Sequence, residues 1–245
     1  MGFFSLKATC GCCGKECGLN RYKIKRSDCW LCPDCLKKAG GPLKIDFNKI
    51  TIADVKKIIS SREATINSIK DRDNNDSPSS LSTANEMYLY AKINGFGKGF
   101  TDSLALKHFK VIEDCLLSDE YVIMTFIGLH NYISPTKHDN NFAYAITNKR
   151  IIMAQKQAVI GEILQTVYLD NINDITYSSK LFGVITIDTI KEVFNVCLDA
   201  DSAKAVCAKA HEVLDSLRSQ SNAQSQTTIV NNSMSDADEI LKFKK

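Results

Sequence analysis

The residues with the clearest chemical potential are cysteines near the start of the chain. Seven of the ten cysteines lie within the first 35 of 245 residues, and the pairs Cys10/Cys13 and Cys32/Cys35 each have a two-residue gap. A Cys-x2-Cys turn places two sulfurs on one side of a tight loop, and a second such turn completes the four-thiolate shell that structural zinc prefers. The spacing therefore predicts a structural Zn²⁺ site with these four cysteines as ligands.

Other interpretations of the cysteines remain open. A disulfide framework would suit a secreted domain of this cysteine density, but MGFFSLK at the start has neither a basic leader nor a sufficient apolar core, which favours zinc. Cys12 adjoins Cys13 and could replace it or Cys10 as a ligand. Cys17 and Cys29 are interpreted as spare thiols, with a second weak site or a redox pair as alternatives.

The cysteine segment is also basic. Residues 1–49 carry ten Lys and Arg against four Asp and Glu, whereas the whole chain has a net charge of only +3. Four thiolates around a divalent ion leave about two negative charges, which nearby cations or backbone N–H groups must offset. The segment supplies candidate cations in Lys15, Arg21, Lys23, Lys25 and Arg26. Nucleic-acid binding is the alternative use of this charge, although no paired-histidine finger or aromatic RNA motif is present.

Other chemically capable residues give weaker signals. The four histidines, His108, His130, His138 and His211, show no spacing that pairs them with one another or with a nucleophile, so we expect no enzyme activity. The glycine-rich run GFGKGF at 95–100 lacks phosphate-loop spacing and is interpreted as a break between helices. Trp30, the only tryptophan, is expected to cover the zinc site from water. Cys115, Cys197 and Cys207 are expected to be buried hydrophobes.

Composition indicates an ordinary globular protein. The chain is 44% hydrophobic and 24% charged, and no stretch approaches the roughly 20 apolar residues of a membrane span. We expect a cytoplasmic protein whose thiols stay reduced and available to metal.

The part of the chain before residue 120 is predicted to be helical beyond the zinc segment. Thr51 and Asp54 form a capping box that opens a short helical segment within 46–70. The run DRDNNDSPSSLST at 71–83 holds one apolar residue and lies in a predicted linker over 71–85. Thr83 and Glu86 form a second capping box, and a further helix carries apolar residues at helical spacing from Ala105.

From Tyr121 onward, the sequence consists mainly of short runs of β-branched and aromatic residues separated by polar turns. Seven strands are predicted at 121–128, 141–147, 150–155, 163–169, 174–179, 183–187 and 192–198. Most connections are too short for crossover helices, so neighbouring strands must pair antiparallel. Asp199 or Asp201 can cap a final helix with one apolar stripe, formed by Val206, Ala210, Val213, Leu214 and Leu217. Such a helix can close the open apolar end of a strongly bent sheet.

This strand region resembles a known family. Over about 86–218 the chain is similar to bacterial pleckstrin-homology-like (PH-like) domains of the YokE-like type, most clearly in AITNKRII at 145–152 and LDNI at 169–172. The resemblance implies an α+β protein: a zinc ribbon or knuckle, a helical connector, and a PH-like seven-stranded antiparallel barrel or sandwich capped by a helix. It also implies a binding role, and an origin in Gram-positive bacteria or their temperate phages.

The two ends of the chain carry further resemblances. CGKECGL and CPDCLKK are similar to short four-cysteine modules of unknown function, although Cys12, Cys17 and Cys29 depart from that pattern. SDADEILKFKK at 235–245 resembles the first helix of a short C-terminal oligomerisation module, SHOCT, whose second half is missing. The predicted organisation is a zinc module, a helical segment, a linker, a PH-like domain and a tail, at 1–45, 46–70, 71–85, 86–218 and 219–245.

These observations predict a non-enzymatic interaction protein. Its PH-like domain would bind a protein partner or a second copy of itself, while zinc holds the first module together. Binding of nucleic acid or an anionic membrane through the basic segment is the alternative, and a thiol redox sensor using Cys17 or Cys29 is a third class. Phosphoinositide binding is disfavoured, because the loop SPTKHDNN at 134–141 has one Lys and one His against one Asp.

Overall fold

The computed structural model describes residues 7–42, 45–74, 80–97, 101–157, 161–179 and 181–220, with the backbone alone for 72–74. These residues fall into two compact units. The first comprises Met1–Ser79 with Thr101–Leu104, and the second comprises Ser80–Phe100 with Ala105–Lys245. The SHOCT-like helix predicted at 235–245 lies outside the described residues.

The first unit begins with two small antiparallel hairpins and a short helix. These elements are β1 (Ala8–Thr9), β2 (Glu16–Cys17), β3 (Tyr22–Ile24), β4 (Cys29–Leu31) and α1 (Pro33–Lys38). Strand β1 pairs with β2, and β3 pairs with β4. The buried aliphatic side chains of this region include Ile24, Leu31 and Leu36, and Tyr22 stacks on Phe47. So small an apolar core gives limited stability, which is the situation in which small modules use a metal.

Helix α2 (Ile52–Asn74) follows in the same unit. Its start is the predicted capping box: the backbone N–H of Thr51 donates to Asp54 Oδ2 at 2.9 Å, and the N–H of Asp54 donates to Thr51 Oγ1 at 3.2 Å. The helix runs four residues beyond the predicted end at residue 70, into the predicted linker. No Gly or Pro occurs in residues 71–74, so a polar composition alone did not end the helix.

The second unit is built on a seven-stranded antiparallel sheet. Its strands are β5 (Val122–Leu129), β6 (Asn141–Thr147), β7 (Arg150–Gln157), β8 (Gly161–Tyr168), β9 (Ile172–Ser179), β10 (Gly183–Thr189) and β11 (Val193–Leu198). They lie in the spatial order β8-β7-β6-β5-β11-β10-β9. The seven predicted strands are confirmed, with every boundary within two residues. The protein therefore has the predicted α+β fold.

Two helices, α3 (Ala84–Ile93) and α4 (Asp102–Cys115), precede the sheet. Thr125 of β5 donates its hydroxyl to the Met87 carbonyl at 2.6 Å, and the backbone N–H of Lys156 in β7 donates to His108 Nδ1 at 2.8 Å. Strands β5, β6 and β7 accordingly have long buried runs, whereas β8 and β10 alternate between more and less buried positions. This contrast is typical of central strands covered on both faces.

Helix α5 (200–220) completes the second unit. Asp199 is its N-cap, because Asp199 Oδ1 accepts the backbone N–H of Ser202 at 3.1 Å, and this resolves the predicted choice between Asp199 and Asp201. Four members of the predicted apolar stripe are buried: Val206, Ala210, Val213 and Leu214. A Cβ at Gly183 in β10 would lie 2.3 Å from Ala203 Cβ, so only glycine permits this close helix-to-strand approach.

A buried ion pair fixes the β6–β7 hairpin, whose turn consists of Asn148 and Lys149. Arg150 Nε and one terminal nitrogen donate to the two oxygens of Glu120, each at 2.8 Å, and Thr147 Oγ1 donates to Glu120 at 2.8 Å. The Glu120 side chain is completely buried and that of Arg150 is 11% exposed. A third Arg150 hydrogen bond reaches the Cys115 carbonyl at 3.0 Å, which ties the hairpin to the end of α4. The whole network joins elements that are far apart in sequence.

Candidate metal centre

The structure brings the four predicted ligands together. The sulfurs of Cys10, Cys13, Cys32 and Cys35 all lie within 4.8 Å of one another. The Cys13 and Cys32 sulfurs are 3.8 Å apart, which is the separation that zinc–sulfur bonds of about 2.3 Å give in a tetrahedral site. The four side chains could therefore hold one metal ion. A fourfold sulfur shell leaves no coordination position for a substrate.

Local backbone structure directs the sulfurs of both cysteine pairs toward one common point. The first pair occupies the turn after β1, where the N–H of Gly14 donates to the Cys10 carbonyl at 2.9 Å and Gly14 has a φ of +74°. The second pair belongs to α1: Cys32 is its N-cap, Pro33 is its first residue and Cys35 lies in its first turn. A cap and the residue three positions later lie on one face of a helix. The start of α1 thus places the Cys32 and Cys35 sulfurs next to the turn that holds Cys10 and Cys13.

Backbone N–H groups face the sulfurs. Burial alone would raise the pKa of Cys10, but the N–H groups of Cys13, Cys32 and Cys12 lower it to about 6. The Cys32 N–H donates to Cys10 Sγ at 3.4 Å, and the Cys35 N–H donates to Cys32 Sγ at the same distance. Cations and backbone N–H groups are the two predicted sources of positive charge around the thiolates. Of these, the backbone N–H groups contact the sulfurs directly.

Burial has the opposite effect on the helix pair. It raises the pKa values of Cys32 and Cys35, and for Cys35 the neighbouring Cys13, Cys32 and Cys12 thiols raise the pKa further. Four close sulfurs cannot all carry negative charge without a cation among them, because like charges repel strongly in a poorly solvated site. The donor set thus fits a divalent metal ion that favours thiolate ligands.

Three of the five predicted cations have other partners. Lys23 forms an ion pair with Asp28 at 2.5 Å, and Arg26 donates to the Lys49 carbonyl at 3.1 Å. Arg21 and Lys23 also lie over the Trp30 ring, at 4.5 and 5.0 Å from its centroid. The Trp30 carbonyl accepts the N–H of Gly11 at 2.9 Å, so its backbone joins the cysteine turn while its ring packs with cations.

The remaining cysteines of the first unit differ in their surroundings. Cys17 is buried and donates to the Ala8 carbonyl at 3.1 Å. A Cβ at Gly11 would lie 2.9 Å from Cys29 Sγ, so Cys29 is packed tightly against the turn. Cys12 is half-buried and its thiol interacts with Cys35, although it is not one of the four cysteines whose sulfurs lie within 4.8 Å of one another. Cys17 and Cys29 are packing residues, whereas Cys12 is within reach of the site.

This arrangement predicts unequal effects of single replacements. Cys13 is the exposed member of the four, and Cys12 lies next to it in the chain and beside Cys35. We expect Cys13→Ser to retain about half or more of its zinc, since the Cys12 sulfur can replace the lost ligand, whereas Cys10→Ser retains almost none. Zinc per purified chain, measured by mass spectrometry after mild chelation, tests this.

The control for this prediction is the double variant Cys12→Ser/Cys13→Ser, which should lose nearly all of its zinc, while Cys12→Ser alone keeps a full complement. Equal zinc loss from Cys13→Ser and Cys10→Ser would contradict the substitution of Cys12 for Cys13.

The histidines occupy separate environments. His108 accepts the Lys156 N–H, and burial lowers its pKa to about 4. His130 is fully buried, with Nδ1 2.6 Å from the Tyr144 hydroxyl and its ring stacked on Phe142. His211 lies on α5 and contacts the Ile175 carbonyl. None of these contacts joins a histidine to the cysteine cluster.

The structure also describes part of the glycine-rich run at 95–100 and the three cysteines of the second unit. Gly95 and Gly97 follow the end of α3 and have φ values of +69° and +125°, as a chain reversal after a helix requires, whereas residues 98–100 lie outside the described residues. Cys197 and Cys207 are buried and Cys115 is half-buried. Burial raises the pKa of all three thiols, so they remain protonated hydrophobes at neutral pH.

The two units define a protein with a four-cysteine module that could hold a metal ion and with a PH-like domain. The chain belongs to the Bacterial PH domain family, whose sequence profile matches residues 116–243. Residues 9–58 match a second profile, Domain of unknown function (DUF4428), which includes all four cysteines of the centre. The finer YokE-like and SHOCT-like assignments remain predictions.

Comparison with individual proteins adds little. A crystal structure of the N-terminally truncated linker-DH/PH domains of p115-RhoGEF aligns with 10% identity and a TM-score of 0.33. The alignment covers 67% of this chain and 44% of that one. No curated protein matches the sequence significantly. Within the described residues, no helix is both long enough and apolar enough to cross a membrane.

Proposed function

We propose that this is a non-enzymatic interaction protein in which structural zinc holds the first module together and the PH-like domain binds a protein partner. The observation that carries the zinc part is the cluster of four cysteine sulfurs within 4.8 Å. Soft thiolates in a tetrahedral set select zinc, or an iron–sulfur centre, over hard oxygen-binding cations. Zinc is favoured because two Cys-x2-Cys pairs with no further ligand form the standard structural zinc shell.

A protein-binding role is supported by an apolar loop surface. Ile133 in the β5–β6 loop, with Ile190 and Val193 at the β10–β11 turn, are between 53 and 66% exposed. The Tyr132 N–H, next to Ile133 in the β5–β6 loop, donates to the Asn195 carbonyl at 2.9 Å, two residues after Val193 in β11. We define Ile133, Ile190 and Val193 as the loop surface. Exposed apolar side chains gathered at one end of a domain are typical of binding sites for other proteins.

The loop surface is tested by a change that leaves the core intact. We expect the double variant Ile133→Asp/Val193→Asp to weaken capture of the partner from its native cell by about tenfold or more, because two charges would have to be desolvated at the interface. The measurement is quantitative mass spectrometry of proteins retained by the full-length chain.

Leu181→Asp is the matched control for this variant. Leu181 is 84% exposed in the β9–β10 loop, outside the loop surface, so its replacement should leave capture unchanged. Sedimentation velocity on the same variants separates self-assembly from binding to another protein. Equal capture by the parent and the double variant would contradict the proposal.

Binding of nucleic acid or an anionic membrane through the basic module is the second candidate. It is supported by the cations stacked on Trp30. Against it, Lys23, Lys38 and Lys49 each form an ion pair with a nearby carboxylate. Phosphate-driven affinity falls by orders of magnitude as salt rises from about 50 to 200 mM, whereas an apolar interface is nearly insensitive. Salt dependence of capture therefore distinguishes the two functions.

A redox-sensing role has less support. Burial raises the pKa of Cys29, which disfavours its reactive thiolate form. Cys17 is buried with its thiol against the Ala8 carbonyl, so an oxidant has little access to it. Unchanged zinc and free-thiol content after mild peroxide would eliminate this third class.

The absence of enzyme activity, the finer family type and the location are also proposed. The absence of enzyme activity is supported by the separate environments of the histidines, of which His108 and His130 are buried. AITNKRII and LDNI support the YokE-like type, 235–245 supports a SHOCT-like helix, and both suit a bacterial or temperate-phage origin. All ten cysteines are free, which suits a reducing, cytoplasmic location.

A further inference from the structure

A groove of about 640 Å³ lies in the second unit where the last turns of α5 meet the sheet. Its apolar wall is formed by six side chains: Tyr121, Tyr168, Leu169, Ile172, Leu214 and Leu217. Lys149, Asp170 and Arg218 add charge to the lining. The groove is therefore large enough for several side chains and suits a segment that is apolar on one side and charged on the other.

Part of this wall lacks apolar cover. Leu214 is 6% exposed, but Leu217, the next member of the α5 stripe, is only half-buried. Tyr168, at the end of the edge strand β8, is 54% exposed. The apolar stripe of α5 thus continues beyond the residues that the sheet buries. Burial of such side chains by another apolar segment would be favourable.

The chain itself supplies a segment of suitable composition. Gln220, the last described residue, is part of the groove lining, and 25 further residues follow it. Residues 221–235 are mainly polar, whereas 236–245, DADEILKFKK, contain Ile240, Leu241 and Phe243 between acidic and basic residues. The family match extends to residue 243, so family similarity continues through this segment.

Chain connectivity favours the same molecule over a second copy. A random-coil chain of 15 residues has a root-mean-square span of about 20 Å. The 15 residues between Gln220 and Asp236 are therefore enough to return to a groove that begins at Gln220. Such a short tether gives an effective concentration in the millimolar range. A contact with a Kd of about 0.1–1 mM would then be formed most of the time within one chain, but rarely between chains at micromolar concentration.

We propose that residues 236–245 bind in the α5 groove of the same chain. Ile240, Leu241 and Phe243 cover the exposed parts of Tyr168 and Leu217, and the basic residues at the end of the segment lie near Asp170. The bound segment would compete with any partner that uses this groove. The proposal does not depend on zinc or on the loop surface.

Hydrogen exchange of the full-length chain tests this contact. In the parent, amides of 164–172 and 213–220 are expected to exchange about two- to tenfold more slowly than in Leu241→Asp/Phe243→Asp, given the effective concentration above. Ile229→Asp/Val230→Asp is the matched control, because it adds the same charge to the tail outside the binding segment, and it should behave as the parent does.

Two outcomes would overturn the proposal. Equal exchange in the parent and Leu241→Asp/Phe243→Asp would show that the segment does not cover the groove. Protection that increases between about 5 and 200 µM protein would show binding between copies, because a contact within one chain is independent of concentration. As the tail variants leave every described residue unchanged, misfolding of the domain does not obscure the result.

Discussion

Replacing Cys32 and Cys35 together with serine is expected to lower bound zinc from about one ion per chain to nearly none, and to unfold the module at 7–42. Serine is a poor zinc ligand, and the double change removes half of the four-sulfur cluster. Structural zinc contributes an apparent free energy of about 10–16 kcal/mol in small modules, which exceeds what the few buried side chains around Ile24 and Leu31 can supply. Metal analysis and hydrogen exchange over 7–42 are the measurements.

The matched control is Cys17→Ser/Cys29→Ser in the same module. Both residues lie outside the four-sulfur cluster, so this variant should keep about one zinc per chain even if packing is somewhat weakened. The second unit should stay folded in both variants. Zinc near one per chain in the Cys32→Ser/Cys35→Ser variant would show that the ligand assignment is wrong.

Replacing Arg150 with methionine is expected to reduce the free energy of unfolding of the second unit by about 3–5 kcal/mol. The reason is that the completely buried Glu120 carboxylate would lose both hydrogen bonds from the guanidinium. Urea denaturation followed by far-ultraviolet circular dichroism measures the change. Trp30 fluorescence would not serve, because the only tryptophan lies in the first unit.

Lys149→Met is the control for the buried pair. Lys149 is the neighbouring residue, and its partner Asp119 has a side chain that is 71% exposed. Breaking an exposed pair of this kind costs about 0–1 kcal/mol. The double variant Glu120→Leu/Arg150→Met should recover much of the stability, because no uncompensated buried charge remains. Equal losses from Lys149→Met and Arg150→Met would contradict the assigned role of the network.

The same network gives the stability of the second unit a dependence on pH. Burial would raise the pKa of Glu120, but hydrogen bonds from Arg150, Thr147 and the Leu117 N–H hold it below its usual range. A lowered folded-state pKa means that the stabilisation is fully present above the unfolded value of about 4.3 and is lost as pH falls through the folded value. The stability difference between the parent and Arg150→Met should therefore narrow below about pH 4.

The sheet was predictable because its signal is local. Short β-branched runs separated by turn residues give strand positions, and connections too short for crossover helices leave only antiparallel pairing. The cysteine pairs are equally local, since each pair is set by one turn. The sequence predicts that α2 ends at residue 70, but the helix continues to Asn74, because residues 71–74 are polar yet include no Gly or Pro.

Contacts between distant segments were beyond sequence reasoning. Glu120 and Arg150 are 30 residues apart and resemble ordinary surface charges in the sequence, yet they form the buried network of the second unit. Similarly, the sequence left open whether basic side chains or backbone N–H groups compensate the thiolate charge. The structure shows backbone N–H groups at Cys10, and amide direction is set by the fold rather than by residue type.

The sequence by itself determined the four clustered cysteines and the strand count, because both depend on spacing along short stretches of chain. Only the tertiary structure decided that Cys12 lies beside Cys35, that Asp199 caps α5, and that the α5 stripe ends in a partly open groove. Each of these depends on how separate elements pack, and packing is a property of several segments together that no single segment encodes.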